Sequence, residues 1–233
     1  MTNDKQRHPW SVTVEEAIAI QQQLQSEVIT SDQLGRVQYV AGVDVGFSED
    51  GAVSRAAAVV LSFPELQLQD QAIALCSTTF PYTPGLLSFR EVPAILEALE
   101  KLRITPDLIL CDGQGIAHPR RFGLACHLGL LTEVPSIGVA KSWFIGEHNE
   151  LPLEKGSWQP LRDQEEVIGA VVRSRTNVKP IYVSVGHLIS LPTAIDYVLR
   201  CTPEYRLPQT TRLADQLASA GKRLTESGGK PIP

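Results

Sequence analysis

Cysteine is scarce. The chain has four, Cys76, Cys111, Cys126 and Cys201, among 233 residues. No two stand at CxxC spacing, and three lie in apolar runs. That excludes a disulfide framework or a zinc site and points to buried thiols in a reducing compartment. Cys126 and His127 are adjacent, but no second pair completes a ligand set. No apolar run approaches 18 residues, the length a membrane-spanning helix needs. The opening MTNDKQRHPW has no apolar signal core. A soluble, cytoplasmic, monomeric protein without a membrane partner is expected. An excess of positive charge is missing too. The net charge of -5 excludes a chain that coats nucleic acid nonspecifically, though not one with a local basic face. Residues 173–223 hold eight Lys/Arg against three Asp/Glu, while residues 147–166 hold six acids against Lys155 and Arg162.

Internal repeats and low-complexity tracts are also lacking. With 43% hydrophobic and 20% charged residues, the chain has ample material for one α/β domain with additions. We expect a single domain over 1–233, with a core at about 12–220 and frayed residues at 224–233. Thr13 and Glu16 stand at capping-box spacing, which predicts a helix over 13–28. Three strand-like runs follow, at 37–46, 52–63 and 67–80, and imply an antiparallel meander. The rhythm then changes to helix (89–103), buried strand (107–112), helix (122–132) and buried strand (136–141), the pattern of parallel strands joined by helices. Strands at 166–174 and 180–186 and helices near 191–201 and 210–220 complete an α/β fold. Its centre is a mixed sheet flanked by helices.

Carboxylates interrupt this pattern where a core gains nothing from them. Asp44 falls inside the apolar run VAGVDVGF, and Asp112 ends DLILCD. An unpaired buried carboxylate costs several kcal/mol, so each needs a partner or a turn to cap. In this strand order the first strand lies beside the fourth, which brings Asp44 and Asp112 together. Two close carboxylates raise one another's pKa and invite a divalent cation, and oxygen donors favour magnesium or manganese over zinc. Glu91 has two readings: a third ligand, or the acid of a Ser88–Glu91 capping box. Asp215 lies on the last predicted helix, where a lone acid is ordinarily solvated. Lys141 closes a strand, either exposed or poised to stabilise charge on a phosphate. His118 reads as a phosphate contact or a loop residue. Pro81 and Pro84 stiffen the backbone around Tyr82, in a loop that either packs on the core or presents an aromatic tip to a base stack.

Together, VAGVDVGF, PYTPGLLSFRE, DGQGIAHPRRFGLACHLG, SIGVAKS and YVSVGHLISL resemble endonuclease V, the family of repair nucleases for deaminated bases. The likeness runs over roughly 12–220. It implies a ribonuclease-H-like fold, with Asp44, Glu91 and Asp112 as the metal-binding catalytic set. It also implies Asp215 as a further position on the last helix, Lys141 as a site lysine, and Tyr82 in a strand-separating wedge. Thr83 stands where the family usually has isoleucine. The implied partner is DNA containing deaminated bases, mainly deoxyinosine. The implied reaction cuts the second phosphodiester on the 3′ side, leaving 3′-hydroxyl and 5′-phosphate, with Mg2+ as cofactor and Mn2+ as its substitute. An inosine-specific ribonuclease and a damage-binding module without cleavage are the alternatives. GVDVGFSEDG also looks like a phosphate loop of the actin and sugar-kinase ATPases, but 233 residues leave no room for their duplicated domain. The lesion pocket is expected to be lined by Gly85, Leu87 and Gly113. The glycines of DGQG are expected to expose backbone N–H groups to the ligand, and Arg120 and Arg121 to meet flanking phosphates.

Overall fold

Side-chain alternation along the first strand sorts the core into two layers. The structure, a computed structural model, describes residues 7–48 and 50–220; the tail expected to fray at 224–233 lies outside them. Strand β1 (Tyr39–Phe47) sends Val40 into one apolar cluster and Ala41 and Val43 into another. Strand β4 (Leu108–Cys111) does the same, with Leu108 and Leu110 on one face and Ile109 and Cys111 on the other. Helices α2 (Leu87–Glu100) and α3 (Leu124–Thr132) cover the face of Ala41 and Cys111. Helices α4 (Leu191–Arg200) and α5 (Gln209–Ala220) supply the cluster that covers the face of Val40 and Leu110.

The expected meander is present. Strands β2 (Val53–Ser62) and β3 (Leu68–Ser77) pair antiparallel beside β1. Strands β1, β4 and β5 (Ser136–Ala140) run parallel. Strands β7 (Glu166–Val172) and β8 (Ile181–His187) extend the sheet, which has the order β3-β2-β1-β4-β5-β8-β7-β6. Strand β6 (Trp158–Asp163) falls in the acidic stretch where no strand was expected. It is an edge strand, charged and interrupted by Pro160, as edges that avoid further pairing tend to be.

Helix α1 (Val14–Leu24) starts on the expected capping box. Thr13 Oγ1 accepts from the Glu16 N–H, and Glu16 Oε2 accepts from the Thr13 N–H. It ends sooner than expected, in one 3-10 turn at Gln25–Glu27. Helix α2 begins two residues before the expected 89, with Leu86 as N-cap and no side-chain cap. The Ser88–Glu91 capping box therefore does not form. The Ser88 hydroxyl instead meets His127 Nδ1 at 3.0 Å.

One helix placement matters for function. A Cβ added at Gly42 would lie 2.2 Å from the Thr210 carbonyl oxygen, and one at Gly46 would lie 3.2 Å from that of Ala218. Eight helical residues advance about 12 Å, and four strand residues about 13 Å. Helix α5 thus runs alongside β1, and the two glycines let it come close. Asp44 lies between them on the same face.

Candidate active site

The parallel pairing of Val43 with Cys111 sets Asp44 opposite Asp112 at the end of β4. The Asp112 N–H continues the ladder to the Val43 carbonyl at 3.5 Å. By alternation both acids belong to the α5 face, and Lys141, two residues beyond Val139, follows the same parity at the end of β5. Asp215 comes down from α5. Glu91 reaches in from α2, in the layer on the opposite face. Where the central strands β4 and β5 end beside β1, four carboxylates and an ammonium therefore gather from five separate elements.

Their electrostatics show how close they are. Burial, then the charges of Asp112 and Asp215, push Asp44 from 3.8 up to about 7 against the pull of Lys141. Burial, then Asp44 and Asp112, push Glu91 up to about 8, with Arg90 opposing. Burial also raises Asp112, and Asp215 adds to it. Lys141 Nζ donates to Asp112 Oδ2 at 2.5 Å. Burial works against the Lys141 charge, but that bond and the surrounding acids hold its pKa above the ordinary value. Glu91 and Asp215, each with a bland reading from spacing alone, both act on the Asp44–Asp112 pair. Among the described residues no three His, Cys, Asp or Glu side chains are drawn together as a finished ligand cage.

Beside Asp112 and Lys141 opens a pocket of about 350 Å³, within the range of small-ligand sites. Gly85, Leu87 and Gly113 line it, together with Thr83, Pro84 and His118. Tyr82 stands at its rim, 73% exposed, and Pro81 lies outside it. The loop that carries Tyr82 is clamped at both ends. Arg90 Nη1 donates to the Phe80 carbonyl at 2.9 Å. Gln21, His118 and Arg120 all donate to the Gly85 carbonyl, at 3.1, 2.9 and 2.7 Å. Gly85 has φ +79, and an added Cβ would sit 2.9 Å from the Arg120 guanidinium. Only glycine fits this corner.

Three of the expected contact residues have partners within the protein. His118 is buried; its Nε2 donates to Gly85 and its Nδ1 accepts from the Arg120 N–H. Burial and the Arg120 charge lower it to about 4, so it is a neutral brace of the loop. Arg120 is held by Gln21 and Gly85. Arg121 is held by Asp163 and Glu166, each at 2.7 Å. Both guanidiniums are already engaged by other parts of the chain. Among the glycines, Gly113 and Gly123 line the pocket, whereas Gly115 serves packing. A Cβ at Gly115 would lie 1.9 Å from the Val185 oxygen, and one at Gly123 2.4 Å from the Gln114 oxygen.

Sequence reading passed over Gln21, Ser88, Gln114, Trp143 and Phe144, which also line the pocket. It also passed over Arg206, whose guanidinium bonds the Lys141 and Pro180 carbonyls. No helix of the described residues is long and apolar enough to cross a membrane.

Comparison with known proteins agrees with this geometry. Residues 22–216 match the family model described as Endonuclease V. The chain is 66% identical over 215 residues to Endonuclease V of Trichormus variabilis, covering 92% of this chain and 97% of that one. The crystal structure of Endonuclease V from Streptomyces avermitilis superimposes with a TM-score of 0.87 at 45% identity, covering 91% of this chain and 94% of that one. Endonuclease V of Ciona intestinalis, solved in complex with a 24mer DNA containing an inosine followed by a ribo-adenosine, gives a TM-score of 0.80 at 31% identity. It covers 89% of this chain and 97% of that one.

Proposed function

Because the chain belongs to the endonuclease V family, we propose that it cuts DNA at deaminated bases, chiefly deoxyinosine. The cut falls at the second phosphodiester 3′ to the lesion and leaves 3′-hydroxyl and 5′-phosphate. One observation carries the reading. Asp112, whose charge helps raise both Asp44 and Glu91, lines a base-sized pocket whose rim holds Tyr82.

The donor set suits a hard divalent cation. It is oxygen-only, and each carboxylate's charge is raised in energy by the others. Asp44, Glu91 and Asp112 would hold magnesium, with manganese as substitute. Once bound, such an ion lowers the pKa of water and neutralises charge on a phosphate. The rest falls to the chain. Lys141, kept protonated by Asp112, offers positive charge to the developing phosphorane oxygen. Asp215 supports the cluster from α5. The extruded base enters between Gly85, Leu87 and Gly113, and Tyr82 fills the gap left in the stack. The rigid loop lowers the entropy lost on that insertion.

The test is single-turnover nicking of an inosine-containing duplex and an undamaged control, with and without magnesium, using wild type and Asp112→Ala. Nicking of the inosine strand alone, dependent on magnesium and lost in the variant, is expected. Magnesium-independent cleavage, or a fully active variant, would overturn the assignment.

A further inference from the structure

The loop that follows β5 carries two large apolar side chains that the reaction above does not use. Trp143 is 58% exposed and Phe144 38%. Neither hangs loose. The Trp143 indole N–H donates to the Gly146 carbonyl at 2.7 Å. Gly146 takes φ +89, and an added Cβ would stand 2.8 Å from the Arg162 oxygen, so this turn is pressed onto β6. The backbones of Glu147 and Arg162 bond each other in both directions, at 2.6 and 2.8 Å. The Phe144 ring lies 5.8 Å from that of His118. The aromatic rings are thus held in place while Trp143 remains open to solvent.

Trp143 lines the lesion pocket beside Lys141, and it also lines a second cleft of about 590 Å³. It forms a partition between the two. The second cleft is polar, bounded by Glu147, His148, Asn149, Arg162, Asp163 and Gln164. Its charges largely balance, Glu147 and Asp163 against Arg162 and the Arg121 that holds Asp163, and its amide and imidazole groups suit the hydrogen-bonding edge of a base. A fixed ring between two cavities, one sized for an extruded base, is an arrangement that offers a stacking surface for the next base.

Resting on the reading of the preceding section, we propose that Trp143 is a second nucleobase platform. A base neighbouring the extruded lesion stacks on its indole and turns its polar edge into the cleft of His148 and Gln164. Tyr82 occupies the duplex on one side of the lesion pocket, and Trp143 holds the strand on the other.

Tryptophan emission reports this directly, because a stacked base quenches an indole. The chain has Trp10, Trp143 and Trp158, and Trp10 is packed among His8, Phe89 and His127. Emission is followed while an inosine oligonucleotide is titrated in calcium, for wild type, Trp143→Phe, Trp143→Ala and Trp158→Phe. Wild type and Trp158→Phe should be quenched alike. Trp143→Phe should lose most of the quenching while affinity, read by anisotropy, changes less than about threefold. Trp143→Ala should weaken affinity about tenfold or more with unchanged Tm, as loss of one stacked base requires. Full quenching in Trp143→Phe, or unaltered affinity in Trp143→Ala, overturns the proposal and leaves the lesion reading intact. Failure of wild type to prefer inosine DNA over undamaged DNA would bring down both.

Discussion

If the carboxylates repel as described, the protein freed of divalent ions must lose stability as the pH rises, and Asp44→Asn must relieve that loss. Asp44 has an ordinary pKa of 3.8 and sits at about 7 in the fold. Its folded pKa is raised, so the folded chain holds a proton that the unfolded chain has released. Stability therefore falls as pH climbs from about 4, and the whole penalty is present above 7. At 1.36 kcal/mol per pH unit the penalty is about 4 kcal/mol. Four histidines act in the other sense. His8, His118, His127 and His187 are all lowered, first by burial. Their contribution is present above their ordinary 6.5 and is lost as pH falls below it. The absolute curve mixes both effects, so the informative quantity is the difference between wild type and Asp44→Asn, in which the histidines cancel. Urea unfolding in EDTA, repeated from pH 4 to pH 8.5, should give curves that nearly coincide at the acid end, where asparagine mimics the protonated acid. The variant should become the more stable by a few kcal/mol at the alkaline end. Saturating magnesium should close the gap from the wild-type side, since an ion at 100 times its Kd adds about 2.7 kcal/mol. A constant difference across the range would refute the claim that these acids are held together.

Glu91→Gln should keep helix α2, which has no side-chain cap to lose, yet reduce single-turnover nicking by orders of magnitude at ordinary magnesium; near-normal rates would remove Glu91 from the site. Gly42→Ala, which places a Cβ 2.2 Å from the Thr210 carbonyl, should lower stability by about 1–3 kcal/mol and slow nicking by displacing α5 with Asp215, although it touches no carboxylate. Denaturation and single-turnover rates check both effects. Tyr82→Ala should leave Tm unchanged, because the ring is 73% exposed. It should weaken inosine-duplex binding in calcium about tenfold and affect a single strand less; equal losses on both would end the wedge reading.

Much of this architecture was legible because burial imposes period-two patterns on strands. The runs that became β1 and β4 are apolar on both faces, so their acids stood out. The edge strand β6 gave no such signal, since Pro160 and its charges blur any alternation. The site was legible where chemistry conflicts with burial. Asp44 and Asp112 conflict with it; Ser88–x–x–Glu91 does not, because its spacing also fits a cap, and only the position of Leu86 at the helix start decides the matter. Residue type did not reveal the protein partners of His118, Arg120 and Arg121. Each suits a phosphate, but each is already engaged by partners distant in sequence, at Gly85, Gln21, Asp163 and Glu166. No local spacing reveals such partners. Trp143 was missed for the converse reason, as an aromatic beside a strand end looks the same whether it faces solvent or a ligand.

The fixed geometry of the strands carries a last consequence. The register of β1 on β4 does not let Asp44 and Asp112 draw apart, so their repulsion must be relieved by other means. Lys141 is one, bonded to Asp112, but a single ammonium does not offset four acids, and Asp44 and Glu91 remain raised in its presence. Protons supply the remainder. With Asp44 and Glu91 raised to about 7 and about 8 as a coupled pair, the cluster still holds about one proton at pH 7 in the absence of a cation. Ligation requires ionised carboxylates, so magnesium uptake must expel them. Calorimetric titration at pH 7 in two buffers of different ionisation enthalpy should show release of about one proton per protein. Release should shrink toward zero by pH 9.5, where both groups are already ionised, and apparent affinity should rise over the same interval. Asp44→Asn should release less at pH 7, since Glu91 loses its nearest repulsive partner and its pKa falls. Binding heats that do not depend on the buffer at pH 7 would mean that magnesium binds acids already ionised, and the raised pair could not be its ligands.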